Sequence, residues 1–274
     1  MRLSLCIATF NEEKNLHYPM ESALDIVDEV IIVDGGSTDK TVEIAKSYGK
    51  KVRIINANNP IMFHKNKQKA IAAARGEWIL QLDSDEEITP ELKQEIKDII
   101  GYNQMKSDAI SKNKTNSIRL NPISSDSICV AYWIPRKNWF LTRFLMKGGQ
   151  YPDYTIRLYR NGYAKFPCKD VHENVEIKGK IGYLKNPLLH YADPNFSRYL
   201  IRWDRYTTAE VEKMPDDTSL NFFNYFFWKP KLTFFMMYFR HKGFMDGFPG
   251  FVFALFSSIR FWVIYTKWRT KHQS

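Results

Sequence analysis

The chain has 274 residues, of which 44% are hydrophobic, 15% aromatic and 26% charged, with a formal net charge of +10 and a pI near 9.3. That length holds one sizeable domain with an appendage, or two small domains, and the apolar fraction is ordinary for a globular protein. The charge asks for an anionic partner, but its placement excludes a uniformly basic nucleic-acid binder: from Trp228 onward eight Lys or Arg stand against one Asp, among 14 of the 41 aromatic residues. The three cysteines, Cys6, Cys129 and Cys168, lack metal-like spacing and are expected to be reduced residues of a cytosolic protein. Met1-Arg2 leads straight into an apolar run, so no signal peptide is expected.

Leu3 to Ala8 is a short continuous apolar run, the pattern of a strand buried in a parallel sheet. Thr9-Phe10-Asn11-Glu12-Glu13 follows, with Asn11 as a candidate N-cap of a helix reaching about Leu24. Glu29 to Val33 predicts a second strand. It ends in Asp34-Gly35-Gly36-Ser37-Thr38-Asp39, whose glycines allow a tight turn and close approach to a ligand. Ser37 or Thr38 is expected to cap the next helix, and Lys51 to Ile55 predicts a third strand. A basic, alanine-rich helix is expected from His64 to Arg75, ended by Gly76.

Trp78 to Leu82 then predicts a central strand that runs abruptly into Asp83-Ser84-Asp85-Glu86-Glu87. Residues two apart on a strand point the same way, so Asp83 and Asp85 suit either a shared divalent ion, Mg²⁺ or Mn²⁺, or one the ion and the other a sugar hydroxyl. Glu86 and Glu87 are expected in the first turn of the following helix, where acids complement the dipole. That helix should begin near Pro90 and reach Ile100. The alternation of strands and helices defines an α/β domain with a doubly wound, mainly parallel sheet, and ligands of such sheets sit at the carboxyl ends of the strands.

Residues 104–126, rich in Ser, Asn, Lys and Asp, are expected to form a mobile loop, either a lid or an inert insertion. Ala131–Pro135 and Asp153–Tyr159 predict further strands. The motifs Lys147-Gly148-Gly149-Gln150-Tyr151-Pro152-Asp153, Val171-His172-Glu173 and His190-Tyr191 complete this half.

Taken in order, Thr9-Phe10-Asn11-Glu12, Val33-Asp34-Gly35-Gly36-Ser37-Thr38-Asp39, Ala74-Arg75-Gly76-Glu77-Trp78 and Leu82-Asp83-Ser84-Asp85 resemble family-two glycosyltransferases of the GT-A fold. Tyr151-Pro152-Asp153, Arg157-Leu158-Tyr159-Arg160, Val171-His172-Glu173 and His190 are similar to the lipopolysaccharide-core β-glucosyltransferase-like branch. The resemblance covers about residues 1–200 and implies an inverting, hexosyltransferase-type, metal-dependent enzyme. It implies that Thr9, Asn11 and Glu12 lie against the nucleotide, that Asp34 accepts a hydrogen bond from the base, usually uracil, and that Asp83 and Asp85 hold the metal and donor sugar. Gly35 departs from the second acid common after Asp34, and Lys67-Gln68 replaces the usual Arg/Lys-Asn.

Glycosyl transfer needs a base for the acceptor hydroxyl and cations for the departing diphosphate. Asp153 is the first candidate base and Glu173 the second. His172 is a candidate third metal ligand. Lys67 is the preferred diphosphate contact, and His190 is expected to be structural.

Phe248 to Thr266 is nearly long enough to cross a bilayer, for which ~20 residues are needed. Arg260 within it costs roughly 2.5–3.5 kcal/mol at mid-membrane, and Lys229-Pro230-Lys231 breaks the preceding stretch. Two amphipathic helices lying in the interface and joined around Asp246-Gly247 are therefore expected, ahead of a helical pair packed on protein and of a single span. The division expected is residues 1–200 for the catalytic domain and 201–274 for a helical, membrane-interfacial region.

The function read from these features is transfer of a sugar from a nucleotide-sugar donor, a UDP-sugar first, to a lipid-linked or envelope-glycan acceptor. The site expected is the cytoplasmic side of the cell membrane, with peripheral attachment and no nucleic-acid partner. A sugar-nucleotide nucleotidyltransferase would carry a Gly-rich loop after the first strand, and none follows Ala8. A non-catalytic membrane-bound module would have lost its acids, and Asp34, Asp83 and Asp85 are all present.

Overall fold

A computed structural model describes residues 2–60, 62–101, 129–168, 174–215 and 217–272. The strands are β1 (Leu3–Thr9), β2 (Glu29–Asp34), β3 (Val52–Asn56), β4 (Trp78–Asp83), β5 (Glu86–Ile88), β6 (Ala131–Phe140), β7 (Arg143–Phe144), β8 (Asp153–Arg160), β9 (Ala164–Lys165), β10 (Glu176–Ile177), β11 (Ile181–Tyr183) and β12 (Leu188–Asp193). The helices of the first half are α1 (His17–Ala23), α2 (Thr41–Ser47), α3 (His64–Ala73) and α4 (90–101). The expected loop 104–126 lies outside the described residues.

Residue contacts divide the chain into two compact units: Met1–Arg136 with Tyr154–Leu189, and Lys137–Asp153 with His190–Ser274. The expected boundary at residue 200 falls inside α5 (Phe196–Glu212).

The main sheet has the order β3-β2-β1-β4-β8-β6-β12-β5, with β7 and β11 both on β6. β3, β2, β1 and β4 are mutually parallel, and β8 turns antiparallel against β4. The β1 sequence explains its central place. Alternate residues go to opposite faces, so Leu3, Leu5 and Ile7 enter one core with Met20, Leu92 and Ile96. Cys6 enters the other with Ala70, Ile71 and Tyr159. Each such buried Leu or Ile contributes about 1.5–3 kcal/mol. Helices cover both faces, so strands apolar throughout are stable here and nowhere else.

The order 3-2-1-4 has its switch point between β1 and β4, where successive crossovers leave in opposite directions and open a crevice at the carboxyl ends. Register fixes what stands there: Ala8 pairs with Asp83, and Thr9 pairs with Asp34.

Several local expectations are corrected. Asn11 is not an N-cap; Leu16 holds that place on α1 without a side-chain bond. Asn11 instead adopts φ 55°, a left-handed conformation that Asn tolerates better than most residues. Neither Ser37 nor Thr38 caps α2, which begins after Lys40. Asp39 takes the capping duty, accepting the amide of Thr41 at 3.0 Å. Glu86 and Glu87 are not in a helix: after a two-residue turn at 84–85 they form β5, which lies beside β12 in the strand order.

The second unit is mostly helical. Asn195 caps α5, its side chain accepting the amide of Arg198 at 2.9 Å. A π-helical turn (Asn224–Trp228), α6 (Lys229–Phe234), a second π-helical turn (Phe235–Arg240) and a 3₁₀ turn (Gly243–Asp246) lead into α7 (Gly247–Lys271). Arg260, out of place in an apolar helix, is paired with Glu210 of α5 at 2.6 Å. Lys267 likewise reaches Asp204 of α5 at 2.6 Å. One flank of α7 thus faces protein. Ser258 donates to the carbonyl of Pro230 at 2.6 Å and Trp262 to that of Phe226 at 2.9 Å, which seats the helical turns on a second flank. Asp246 is buried and accepts the amides of Met146 and Lys147 at 3.0 and 2.7 Å.

Candidate active site

The loops after β1 and β2 are sewn together. The Gly35 amide donates to the Thr9 carbonyl at 2.8 Å. The Asn11 amide donates to Ser37 Oγ, and Asn11 Oδ1 accepts the Thr38 amide, both at 2.8 Å. The Glu12 amide donates to Thr41 Oγ1 at 2.7 Å. Asp34 is buried at the end of β2; its Oδ2 accepts the amides of Gly36 and Ser37, and its Oδ1 accepts Ser37 Oγ at 2.5 Å. The departure at Gly35 has a packing cause. A Cβ there would lie 3.3 Å from Cβ of Asn59 and 3.4 Å from that of Phe10. The buried hydroxyls of Thr9 and Ser84 have no hydrogen-bond partner among the described residues. Such groups are costly unless something pairs with them.

At the end of β4, Asp83 is gripped from two sides. Lys67 Nζ of α3 lies 2.5 Å from its Oδ1, and Arg157 Nη2 of β8 lies 2.7 Å from its Oδ2. Arg157 also donates through Nε and Nη2 to the two oxygens of Glu86, each at 2.8 Å, and through Nη1 to Gln81 at 3.0 Å. Arg136 reaches Glu86 at 3.3 Å, and Glu86 Oε2 accepts the amide of Asp83 at 3.0 Å. Glu86 has no exposed surface. It is the functional-site residue that sequence reasoning missed. Lys67 is buried as well, so it does not lie on a solvated helix face.

Charge states follow from these contacts. Burial pushes the Glu86 carboxyl up, but Arg157 and Arg136 outweigh it and hold it below the ordinary 4.5. Burial lowers Lys67 against the pull of Asp83. Burial works against the charge of Arg157 too, yet Asp83 and Glu86 reverse this and raise it. A carboxyl held low in the folded state stabilises fully above its unfolded value and loses that contribution as pH falls through the folded one. Thermal melts should therefore be flat in this contribution down to about pH 4.5 and drop below it. Glu86→Gln should flatten that drop; an unchanged acid limb would assign it elsewhere.

Lys67, Arg136 and Arg157 line a cavity of about 160 Å³ together with His64 and Asn174. A cavity with that lining accepts anionic oxygens.

The remaining expected site residues are placed as follows. Asp85 occupies the turn between β4 and β5. Asp153 opens β8. His172 and Glu173 lie outside the described residues. Among the described residues no three His, Cys, Asp or Glu gather as a metal cage. Mg²⁺ and Mn²⁺ do not need one, since one or two carboxylates and substrate phosphates complete their shells. Here both oxygens of Asp83 are engaged by Lys67 and Arg157, and Asp85 stands in the turn just beyond.

A mainly parallel sheet with helices on both faces, carrying acids at the carboxyl ends of β2 and β4, defines a GT-A fold. The sequence model of glycosyl transferase family 2 matches residues 4–161, and the chain belongs to that family. It is 24% identical over 267 residues, 94% of this chain and 88% of the other, to the lipopolysaccharide core biosynthesis glycosyltransferase LpsC of Rhizobium meliloti (strain 1021). An uncharacterized glycosyltransferase of Rickettsia typhi is 28% identical over 95% of this chain and 84% of its own. Among solved structures, S. aureus TarS 1–349 in complex with UDP superposes with a TM-score of 0.45 at 16% identity, covering 100% of this chain and 89% of that one.

Proposed function

We propose that this glycosyltransferase moves a sugar, with inversion, from a UDP-sugar to a lipid-linked acceptor of the cell envelope. The observation that carries the reading is the pair of buried cations, Lys67 and Arg157, converging on Asp83 at the sheet's switch point. The LpsC relative supports the acceptor class. Thr9, Asn11, Glu12 and Asp34 would meet the nucleotide. Asp83 and Asp85, with His172 as a further candidate, would hold Mn²⁺ or Mg²⁺, which supplies charge neutralisation to the leaving diphosphate when bound. Lys67 and Arg157 stabilise the same developing charge and orient the diphosphate. Asp153, or Glu173 in its place, takes the proton of the acceptor hydroxyl as that oxygen bonds to the sugar and the diphosphate bond breaks.

Calorimetric titration with UDP tests the nucleotide and metal roles together. UDP should bind the parent more tightly with Mn²⁺ than with chelator. Asp85→Asn should lose that difference, at least about tenfold or 1.4 kcal/mol, with an unchanged melting temperature. Equal metal dependence in the variant would remove Asp85 from the metal's shell.

The most apolar 18-residue window within Gly243–Lys271 has a mean hydropathy of 1.5, and by length and composition the helix could cross a membrane. Its pairing with α5 favours a helix lying in the interface. Trp228 and Phe248, 68% and 72% exposed, are the natural points of insertion. Deleting 228–274 is a poor test, because Asp246 holds the amides of Met146 and Lys147. Trp228→Glu with Phe248→Glu should instead weaken cosedimentation with anionic phospholipid vesicles about a hundredfold, since each side chain is worth ~1.5–3 kcal/mol. Undiminished pelleting would refute interfacial insertion there.

A further inference from the structure

β8, β6 and β12 are neighbours in the sheet. Each brings one polar side chain to a common row in the second unit: Asp153, Asn138 and His190. Asn138 Nδ2 donates to Asp153 Oδ2 at 2.9 Å, and His190 Nδ1 lies 2.7 Å from Asn138 Oδ1. We infer that His190, acting through the Asn138 amide, is a positioning residue for the Asp153 carboxylate. The inference rests on the reading of Asp153 as the base.

The chemistry of the three groups allows one arrangement. An ionised carboxylate only accepts, so the Asn138 NH₂ must face Asp153. The amide oxygen then faces the imidazole, which must present a proton on Nδ1. A rotated amide would set oxygen against carboxylate and lose the hydrogen bond that His190 donates. The histidine thus locks the amide, and the amide locks one oxygen of Asp153 and with it the carboxylate plane. No proton needs to pass along the row, because a neutral amide is a poor relay. The gain is in alignment: a base misplaced by about 1 Å can cost on the order of a hundredfold in rate.

The row also accounts for a histidine between two apolar residues of its strand face. In Leu188–Asp193 alternate residues share a face, so His190 stands between Leu188 and Ala192. Leu188 and Ala192 are buried, whereas His190 is only partly so. A residue serving the core alone would have no call for a donor aimed at Asn138.

Two measurements on the full chain test this. The first is the ¹⁵N–¹H multiple-bond spectrum of histidine-labelled protein at neutral pH. A proton on Nδ1 of His190 is expected, and Asn138→Ala should return the ring to the Nε2–H tautomer. A parent ring protonated on Nε2 alone overturns the inference. The second is turnover across a panel of UDP-hexoses, read as UDP release with envelope glycolipid as acceptor. His190→Ala should lower kcat about 10- to 100-fold with the donor KM within twofold. His190→Asn, whose Nδ2 stands where Nδ1 stood, should recover most of that loss, and His190→Gln should not. Equal loss in Asn and Gln variants, or a change in KM alone, overturns it. If the parent turns over no UDP-hexose, the functional reading fails, while the tautomer result still decides the row by itself.

Discussion

Arg157→Met is expected to lower stability by about 3–5 kcal/mol, the cost of breaking a buried ion pair from one side. The guanidinium donates four hydrogen bonds, to both oxygens of Glu86, to Gln81 and to Asp83. Without it Glu86, which has no exposed surface, keeps Arg136 at 3.3 Å as its ion-pair partner among the described residues. The urea midpoint should fall with the slope unchanged. The double variant Arg157→Met/Glu86→Met should regain much of the loss, because apolar groups of similar volume replace a pair that was expensive to bury. A single variant costing under about 1 kcal/mol would mean that water already solvates Glu86. On the proposed reading both variants should transfer sugar more slowly, since each keeps Lys67 but lacks the second cation proposed for the diphosphate.

Asp153→Asn is expected to cut kcat by about 10²–10⁴-fold, the range for losing a general base. UDP affinity should stay within twofold, because a base for the acceptor hydroxyl is not called on to hold the nucleotide. Stability should hardly change. Asn138 can reverse its amide toward an asparagine, at the expense of its bond with His190. Full activity in this variant would pass the base role to Glu173.

The framework was legible because its determinants are local. Apolar runs marked β1, β2 and β4, and the register then carried Thr9, Asp34 and Asp83 to one edge without further information. What escaped was set by distant partners. Glu86 looks like a first-turn acid, and only an arginine 71 residues later explains why it is buried. Lys67 was legible as the preferred lysine; what escaped is that α3 buries it against Asp83. Asn138 follows Arg136 and Lys137 in a strand that neither alternates polar with apolar residues nor carries a motif. Asn11 was misplaced because capping chemistry and loop-to-loop bonding favour the same residue types.

The carboxylate of Asp246 has one more consequence, for synthesis. The amides it receives belong to residues 99 and 100 positions earlier. They leave the ribosome well before their acceptor does, so the turn ahead of β8 waits on residues still being translated. A nascent chain halted before position 246 would carry Asp34, Asp83 and Asp153 and still lack the fastening of that turn, whose order therefore depends on the aromatic end.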